Sequence, residues 1–336
     1  MQQHGTCHPS PGCHLIEGGA SAVSDRPSAD PTRVSPRRIR AGILAYAAGD
    51  ALGVPWEGKT TDQVDLEALE ELPPAHDWPR GATSDDTDQL ILVASHLVES
   101  QGRVDEREFL TLLAKALPGM RGPGPSTTAA VRRFVATGVL QTSTGDTVGA
   151  AMRALPIGWA MPSSATEQRS ATTIRLSRTT HGEPAAIVSA CVVAAVASLA
   201  LEGYSIDAVV TAGLDEAEHM AAWYGLPSDA MQPIRQGASG AWGPYRAGMA
   251  LDAVATVASV MQVLRESEGL AAAMKHAVSL GGDTDTVAAI VGGLLGCQTL
   301  DVEREISWLS RVTLPEPELV DAVAVGLDRL RRSLYR

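Results

Sequence analysis

The sequence predicts an all-α protein. Apolar residues recur at helical spacing along most of the chain, alternating stretches of strand length are nearly absent, and Pro and Gly gather at the joints, as at 118–119, 121–125 and 237–244. At 336 residues and 45% hydrophobic, the chain can bury the core of one large domain. Only 4% is aromatic, so that core must be built from Ala, Val and Leu, small side chains that let helices approach closely.

Residues 1–38 stand apart. They are rich in Ser, Pro, Gly and His without periodic apolar positions, and are expected to form a disordered tail ahead of a folded domain at 39–336. The Cys7-His8 and Cys13-His14 pairs match no closed zinc spacing. The first helix is expected at 39–52, apolar nearly all round. The next, at 87–100, places Leu90, Ile91, Val93, Ala94, Leu97 and Val98 at helical spacing. Further helices are expected at 105–117, 126–138, 146–154, 183–202, 206–221, 249–265, 267–279, 284–297 and 316–334. The run AAIVSACVVAAVASLAL at 185–201 is the longest apolar stretch, shorter than the ~20 residues of a spanning helix and interrupted by Ser189 and Ser198. It reads as a buried central helix.

Charge narrows the function. The net formal charge is −12, and counterion release at a phosphate backbone needs clustered Lys and Arg, so no nucleic-acid binding is expected. No membrane partner is expected either. Four irregularly spaced cysteines build no disulfide framework, and no apolar stretch of signal-peptide length opens the chain, which points to a soluble cytoplasmic protein, read as a monomer.

Two segments share a design: Ser84-Asp85-Asp86-Thr87-Asp88, and Gly281-Gly282-Asp283-Thr284-Asp285-Thr286. Each sits where a loop turns into a strongly apolar helix. Helix capping accounts for one or two acids at each place. Two clusters, each leading into a helix too apolar for the surface, also fit a cation site, because buried carboxylates repel unless a positive charge lies between them. With oxygen ligands and no Cys or His, the chemistry suits Mg²⁺, Mn²⁺ or Ca²⁺ rather than zinc. Both readings stand on spacing alone.

Four motifs in order then resemble the ADP-ribosylglycohydrolase family: GILAYAAGDALGVPWE at 42–57, TSDDTDQ at 83–89, THGEPAA at 180–186 and SLGGDTDTVAAIVGGLLG at 279–296. The resemblance covers the body from about residue 39. It implies a compact all-α fold around a dinuclear centre and cleavage of the glycosidic bond at the ribose C1″ of an ADP-ribosylated protein or small molecule. Ser84, Asp85, Asp86, Asp283, Asp285 and Thr286 would hold two Mg²⁺ or Mn²⁺ ions, with Glu57, Asp85, Asp86 and Asp285 serving catalysis. Asp88 matches no ligand, and Asp50 reads as a structural hydrogen-bonding residue. Gly122, Gly124 and Ser126 resemble the family's glycine-rich loop, where backbone N–H groups and a helix dipole meet a diphosphate. Gly149 and His181 would also contact the ADP-ribose moiety.

Two departures stand out. The family usually carries Asn before Gly-Ala-Ala-Met-Arg; here Val148 replaces that amide with a hydrocarbon. After Gly296 the chain continues Cys297-Gln298-Thr299, unlike many relatives, which suggests an altered pocket rim. His96 and His276 read as packing or surface residues, and Trp242 and Tyr245 as rings that stack on a base or pack in the core. Rival functions are a relative acting on an NAD-derived or nucleotide-like metabolite, a non-catalytic ADP-ribose reader, and an Asp-rich diphosphate lyase. The last fails because Gln89 breaks the DDxxD spacing and two Phe cannot line a carbocation pocket.

Overall fold

A computed structural model describes residues 34–75, 77–243, 252–266, 268–299 and 301–335. The Cys-His pairs and Tyr245 lie outside the described residues. In chain order the helices are α1 (Pro36–Gly53), α2 (Asp85–Glu99), α3 (Glu106–Ala116), α4 (Pro125–Thr137), α5 (Gly149–Met152), α6 (Leu155–Ala160), α7 (Thr166–Arg178), α8 (Pro184–Glu202), α9 (Ile206–Trp223), α10 (Gln232–Ala238), α11 (Ala253–Glu266), α12 (Leu270–Ser279), α13 (Thr284–Gly296), α14 (Val302–Glu305) and α15 (Pro317–Ser333). Among the described residues no strand forms; a lone antiparallel bridge joins Thr147 to Asp252. The all-α expectation therefore holds.

Helices α1 and α13, both buried along most of their length, form the centre, and small residues set their separation. A Cβ on Gly49 would lie 2.1 Å from the Ala288 carbonyl oxygen, and one on Gly53 would lie 2.3 Å from the Asp285 Cα. The backbones are thus in direct contact. The Thr284 hydroxyl donates to the Gly53 carbonyl at 2.9 Å and locks their registration. This contact brings Asp50 of α1 and Asp285 of α13 to the same level, where the site forms.

Around that pair, α8 packs against α5, α6, α7 and α9, while α15 closes over α1, α2 and α6. Among the described residues α8 is the one helix long and apolar enough to cross a membrane, yet 89% of its apolar window is buried inside the protein. It is a core helix. The C-terminal helix is anchored by Arg331, whose guanidinium pairs with Glu202, both side chains being fully buried. The same guanidinium donates to the Gly158 and Met161 carbonyls at 2.8 and 2.7 Å.

Several boundaries differ from expectation for identifiable reasons. Helix α1 begins at Pro36, ahead of the expected boundary at 39, because proline suits the first helical turn. The helix expected at 146–154 is only α5, with α6 following after a break at Arg153-Ala154. The whole of α7 was not expected. Its buried face is Arg169, Ser170, Thr172, Thr173, Leu176 and Ser177, so no apolar period marks it. Burial is sustained by polar partners: Ser170 donates to Glu216 at 3.0 Å, and Arg169 faces the same carboxylate.

Candidate active site

Helix α2 starts with its capping needs already met. The Asp50 carboxylate, wholly buried in α1, accepts from the Ser84 N–H at 2.9 Å, the Thr87 N–H at 3.1 Å and the Thr87 hydroxyl at 2.5 Å. Ser84 Oγ accepts from the Asp86 N–H at 3.2 Å. Asp50, Ser84 and the Arg121 carbonyl, which accepts from the Asp85 N–H at 2.8 Å, thus satisfy the orphan donors, and the Asp85 and Asp86 side chains do not cap. Helix α13 repeats the pattern. Asp283 occupies its N-cap position without a side-chain cap bond; its Oδ2 instead accepts from the Thr256 hydroxyl of α11 at 2.9 Å. Of the four aspartates only Asp285 bonds the backbone of its helix start, its Oδ1 accepting from the Thr286 N–H at 3.0 Å, so capping does not explain why Asp85, Asp86 and Asp283 stand there.

A cleft of about 490 Å³ opens between the two helix starts, and Glu57, Ser84, Asp85, Asp86, Asp283, Asp285 and Thr286 all line it. The loop carrying Glu57 is fixed by backbone pairing: the Gly58 N–H donates to the Gly282 carbonyl and the Gly282 N–H to the Lys59 carbonyl, both at 2.8 Å. Gly281 and Gly282 take φ of +73° and +78°, a region that favours glycine, as the chain turns into α13. Gly122, Gly124 and Gly149 line the same cleft, together with Trp78.

Crowding five acids into a buried cleft makes ionisation costly. Burial, and then repulsion from Asp283 and Asp50, pushes the Glu57 carboxyl up to about 7. Burial foremost lifts Asp85 to about 8. Asp86 and Asp285 rise well above the ordinary carboxylate range through burial and mutual repulsion, and burial also raises Asp283. Asp86 Oδ2 is buried with no hydrogen-bond partner. Among the described residues, no three acidic, His or Cys side chains draw together into a finished ion cage. Two carboxylates are instead held by protein donors, Asp85 Oδ2 by the Gln89 amide at 2.5 Å and Asp283 by Thr256.

Other residues singled out in the sequence lie elsewhere. Ser126 is not on this cleft; it lines an adjoining cavity of about 590 Å³, separated from the cleft by Thr147, which borders both. His181 is fully buried behind Gly149, where an added Cβ would meet its ring at 2.8 Å. Its ring nitrogens contact the Thr180 hydroxyl at 2.7 Å and the Thr147 hydroxyl at 2.9 Å. Burial, with help from Arg153, lowers its pKa to about 3, so the ring is neutral. Val148 is buried in the cleft wall. Cys297 is buried at the far end of α13 and does not line the cleft, so the altered segment after Gly296 does not reshape this rim. Trp242 packs against the core, its indole N–H donating to Ser259 at 3.0 Å. His96 is likewise buried, edge-on to Phe109.

Sequence reasoning missed Gln89, Arg153, Thr147 and Thr256. Gln89 had a signal, lying one helical turn after Asp85 on the same face. Arg153 closes the Gly-Ala-Ala-Met-Arg motif, although nothing local shows what it reaches. Thr256 carries no signal at all.

An all-helical fold whose two central helix starts present acids and hydroxyls to one cleft defines a small class of proteins. The ADP-ribosylglycohydrolase family model matches residues 31–321, and the chain belongs to that family. An uncharacterized protein of Archaeoglobus fulgidus is 27% identical over 310 residues, spanning 89% of this chain and 98% of the relative. A solved structure of an ADP-ribosylglycohydrolase-related protein complex superposes with a TM-score of 0.70 at 25% identity, covering 88% of this chain and 98% of that one.

Proposed function

We propose that this protein is a metal-dependent hydrolase that cleaves the glycosidic bond at the ribose C1″ of an ADP-ribosylated substrate. The observation that carries the reading is the convergence of acids and hydroxyls from two distant segments on one cleft, with the capping of α2 assigned to other groups and Asp86 Oδ2 left buried without a partner. A buried, unbonded carboxylate oxygen beside further acids is costly unless a cation takes its place in the balance. The donor set fits: carboxylates of Asp85, Asp86, Asp283 and Asp285 with hydroxyls of Ser84 and Thr286 are hard oxygen ligands for two Mg²⁺ or Mn²⁺ ions.

Bound there, such ions would polarise ribose hydroxyls or a water and offset charge at the breaking bond. The chain's own groups supply the rest. Glu57 stands on the cleft wall, where its carboxyl can take a proton from an attacking water, while the paired backbone of Gly58 and Gly282 keeps it there. The carboxylates favour an oxocarbenium-like state electrostatically. Gly122, Gly124 and Gly149 leave room for a ligand to approach the backbone where they line the cleft.

The test is turnover of a panel of ADP-ribosylated peptides, nucleotides and NAD derivatives. Activity should vanish in EDTA and return with Mg²⁺ or Mn²⁺ but poorly with Zn²⁺; full turnover by exhaustively chelated enzyme would contradict the reading. A second reading, hydrolysis of a smaller NAD-derived or nucleotide-like metabolite, is favoured by Val148. Its hydrocarbon sits in the cleft wall where the family usually offers an amide. Preference within the same panel separates the two.

A further inference from the structure

Behind the cleft runs a continuous chain of buried and half-buried polar contacts. Arg153, whole and buried beneath the cleft floor, is its hub. One guanidinium nitrogen donates to Gln89 Oε1 at 2.6 Å, and Gln89 Nε2 donates to Asp85 Oδ2 at 2.5 Å. The other donates to the Thr180 hydroxyl at 2.6 Å. Thr180 contacts His181 Nδ1, His181 Nε2 contacts Thr147, and Thr147 donates to Ser126 Oγ at 3.0 Å.

The direction of each bond follows from donor counting. Thr147 has one hydroxyl hydrogen and two acceptors within reach, Ser126 Oγ at 3.0 Å and His181 Nε2 at 2.9 Å. With that hydrogen on Ser126, Thr147 accepts from His181 and Nε2 carries the ring proton. A neutral imidazole then has a bare Nδ1, which must accept, and the Thr180 hydroxyl is the donor that faces it. Thr180 can spend its hydrogen that way because Arg153, a donor with no acceptor capacity, occupies its lone-pair side. The same argument runs the other way. Arginine demands an acceptor of Gln89, which turns the amide so that its NH₂ points at Asp85 and leaves Asp85 Oδ2 an acceptor.

We propose that Arg153 is a positioning residue that polarises this chain in both directions, holding His181 in its Nε2–H tautomer so that Thr147, which lines the cleft, is fixed with its hydrogen on Ser126 and its oxygen toward the ring, and orienting Asp85 through Gln89. One guanidinium thereby couples the acidic cluster to the ligand-loop side of the site. His181 acts from behind Gly149 as a relay rather than at the ligand surface. Only the identity of the ligand, an oxygen-rich ADP-ribose moiety, rests on the functional reading above.

The decisive measurement is the ring nitrogen signature of ¹⁵N-labelled histidine in the full-length protein, with the His181 signal assigned by its loss in His181→Phe. Wild type should show a single neutral Nε2–H tautomer between pH 6 and 8. Thr180→Val, which removes the donor to Nδ1, and Arg153→Lys, whose ammonium cannot serve both Thr180 and Gln89, should each admix the other tautomer. Thr180→Ser restores the hydroxyl and should restore the wild-type signature. An Nδ1–H ring in wild type, or an unchanged single tautomer in Thr180→Val, would overturn the proposal. Titration with free ADP-ribose forms a separate arm: Thr180→Val should bind about three- to tenfold more weakly, the worth of one misdirected hydrogen bond. Equal affinity of the two proteins would overturn the link to the ligand. If wild type itself binds no ADP-ribose, the functional reading and that link fail together, while the tautomer result still decides the role of Arg153.

Discussion

Replacing Asp285 by Asn separates an ion site from a merely acidic helix start. In the metal-free protein, burial and the neighbouring Glu57, Asp86 and Asp283 raise Asp285 well above the ordinary carboxylate range, which favours its protonated form. Asparagine is nearly isosteric with that protonated acid, and its carbonyl can keep accepting from the Thr286 N–H, as Asp285 Oδ1 does at 3.0 Å. Metal-free stability should therefore stay the same or rise slightly, since one of the crowded acids is neutralised. A ligand at ~100 times its dissociation constant stabilises the native state by about 2.7 kcal/mol. With about 300 described residues and an unfolding entropy of about 2.1 cal/mol/K per residue, that gain is a rise in Tm of roughly 4 °C per ion. Asp285→Asn exchanges an anionic oxygen for a neutral one and should lose most of that rise. The assay is thermal melting of both proteins in EDTA and in excess Mg²⁺ or Mn²⁺. If the metal-induced shift is the same in both, Asp285 holds no ion and the proposed mechanism falls.

Three further outcomes are expected. Val148→Asn should raise the specificity constant for a conventional ADP-ribosyl-arginine or -serine substrate relative to the native one, since a restored amide bond is worth about 0.5–1.5 kcal/mol; an unmoved ratio would mean that Val148 only packs. Arg331→Leu leaves the Glu202 carboxylate buried without its cation and should destabilise the protein by about 3–5 kcal/mol in chemical denaturation, whereas a loss below about 1 kcal/mol would show that the pair contributes little. In EDTA, stability should fall as pH rises from 5 to 8: Asp85 binds its proton up to about 8 when folded but releases it near 4 when unfolded, so its contribution is complete at low pH and disappears as pH passes the folded value. Excess metal should flatten or reverse that slope, and chelated protein that gains stability between pH 5 and 8 would contradict the raised carboxyls.

The helices with apolar period were legible from the chain alone, because burial of one face imprints itself on residues three and four apart. So α2, α8 and α13 were located to within two residues at either end. The two acid clusters were equally visible, since they are statements about neighbours in sequence, whereas the hydrocarbon at Val148 stands out only against the family it resembles. What lay beyond reach was every question about which group meets which. Helix α7 has no apolar stripe because Glu216, on a different helix, makes its polar face buriable. Whether Asp85 and Asp86 cap α2 was decided by Asp50, which takes those backbone donors from another helix. His181 stands in a recognisable Thr-His pair, yet only packing against Gly149 puts it behind the cleft wall, joined to Arg153 through Thr180. Local pattern records what each segment must bury; the partner of a buried polar group is chosen by the close approach of distant helices, here set by Gly49 and Gly53 against α13, and the tertiary structure alone fixes that choice.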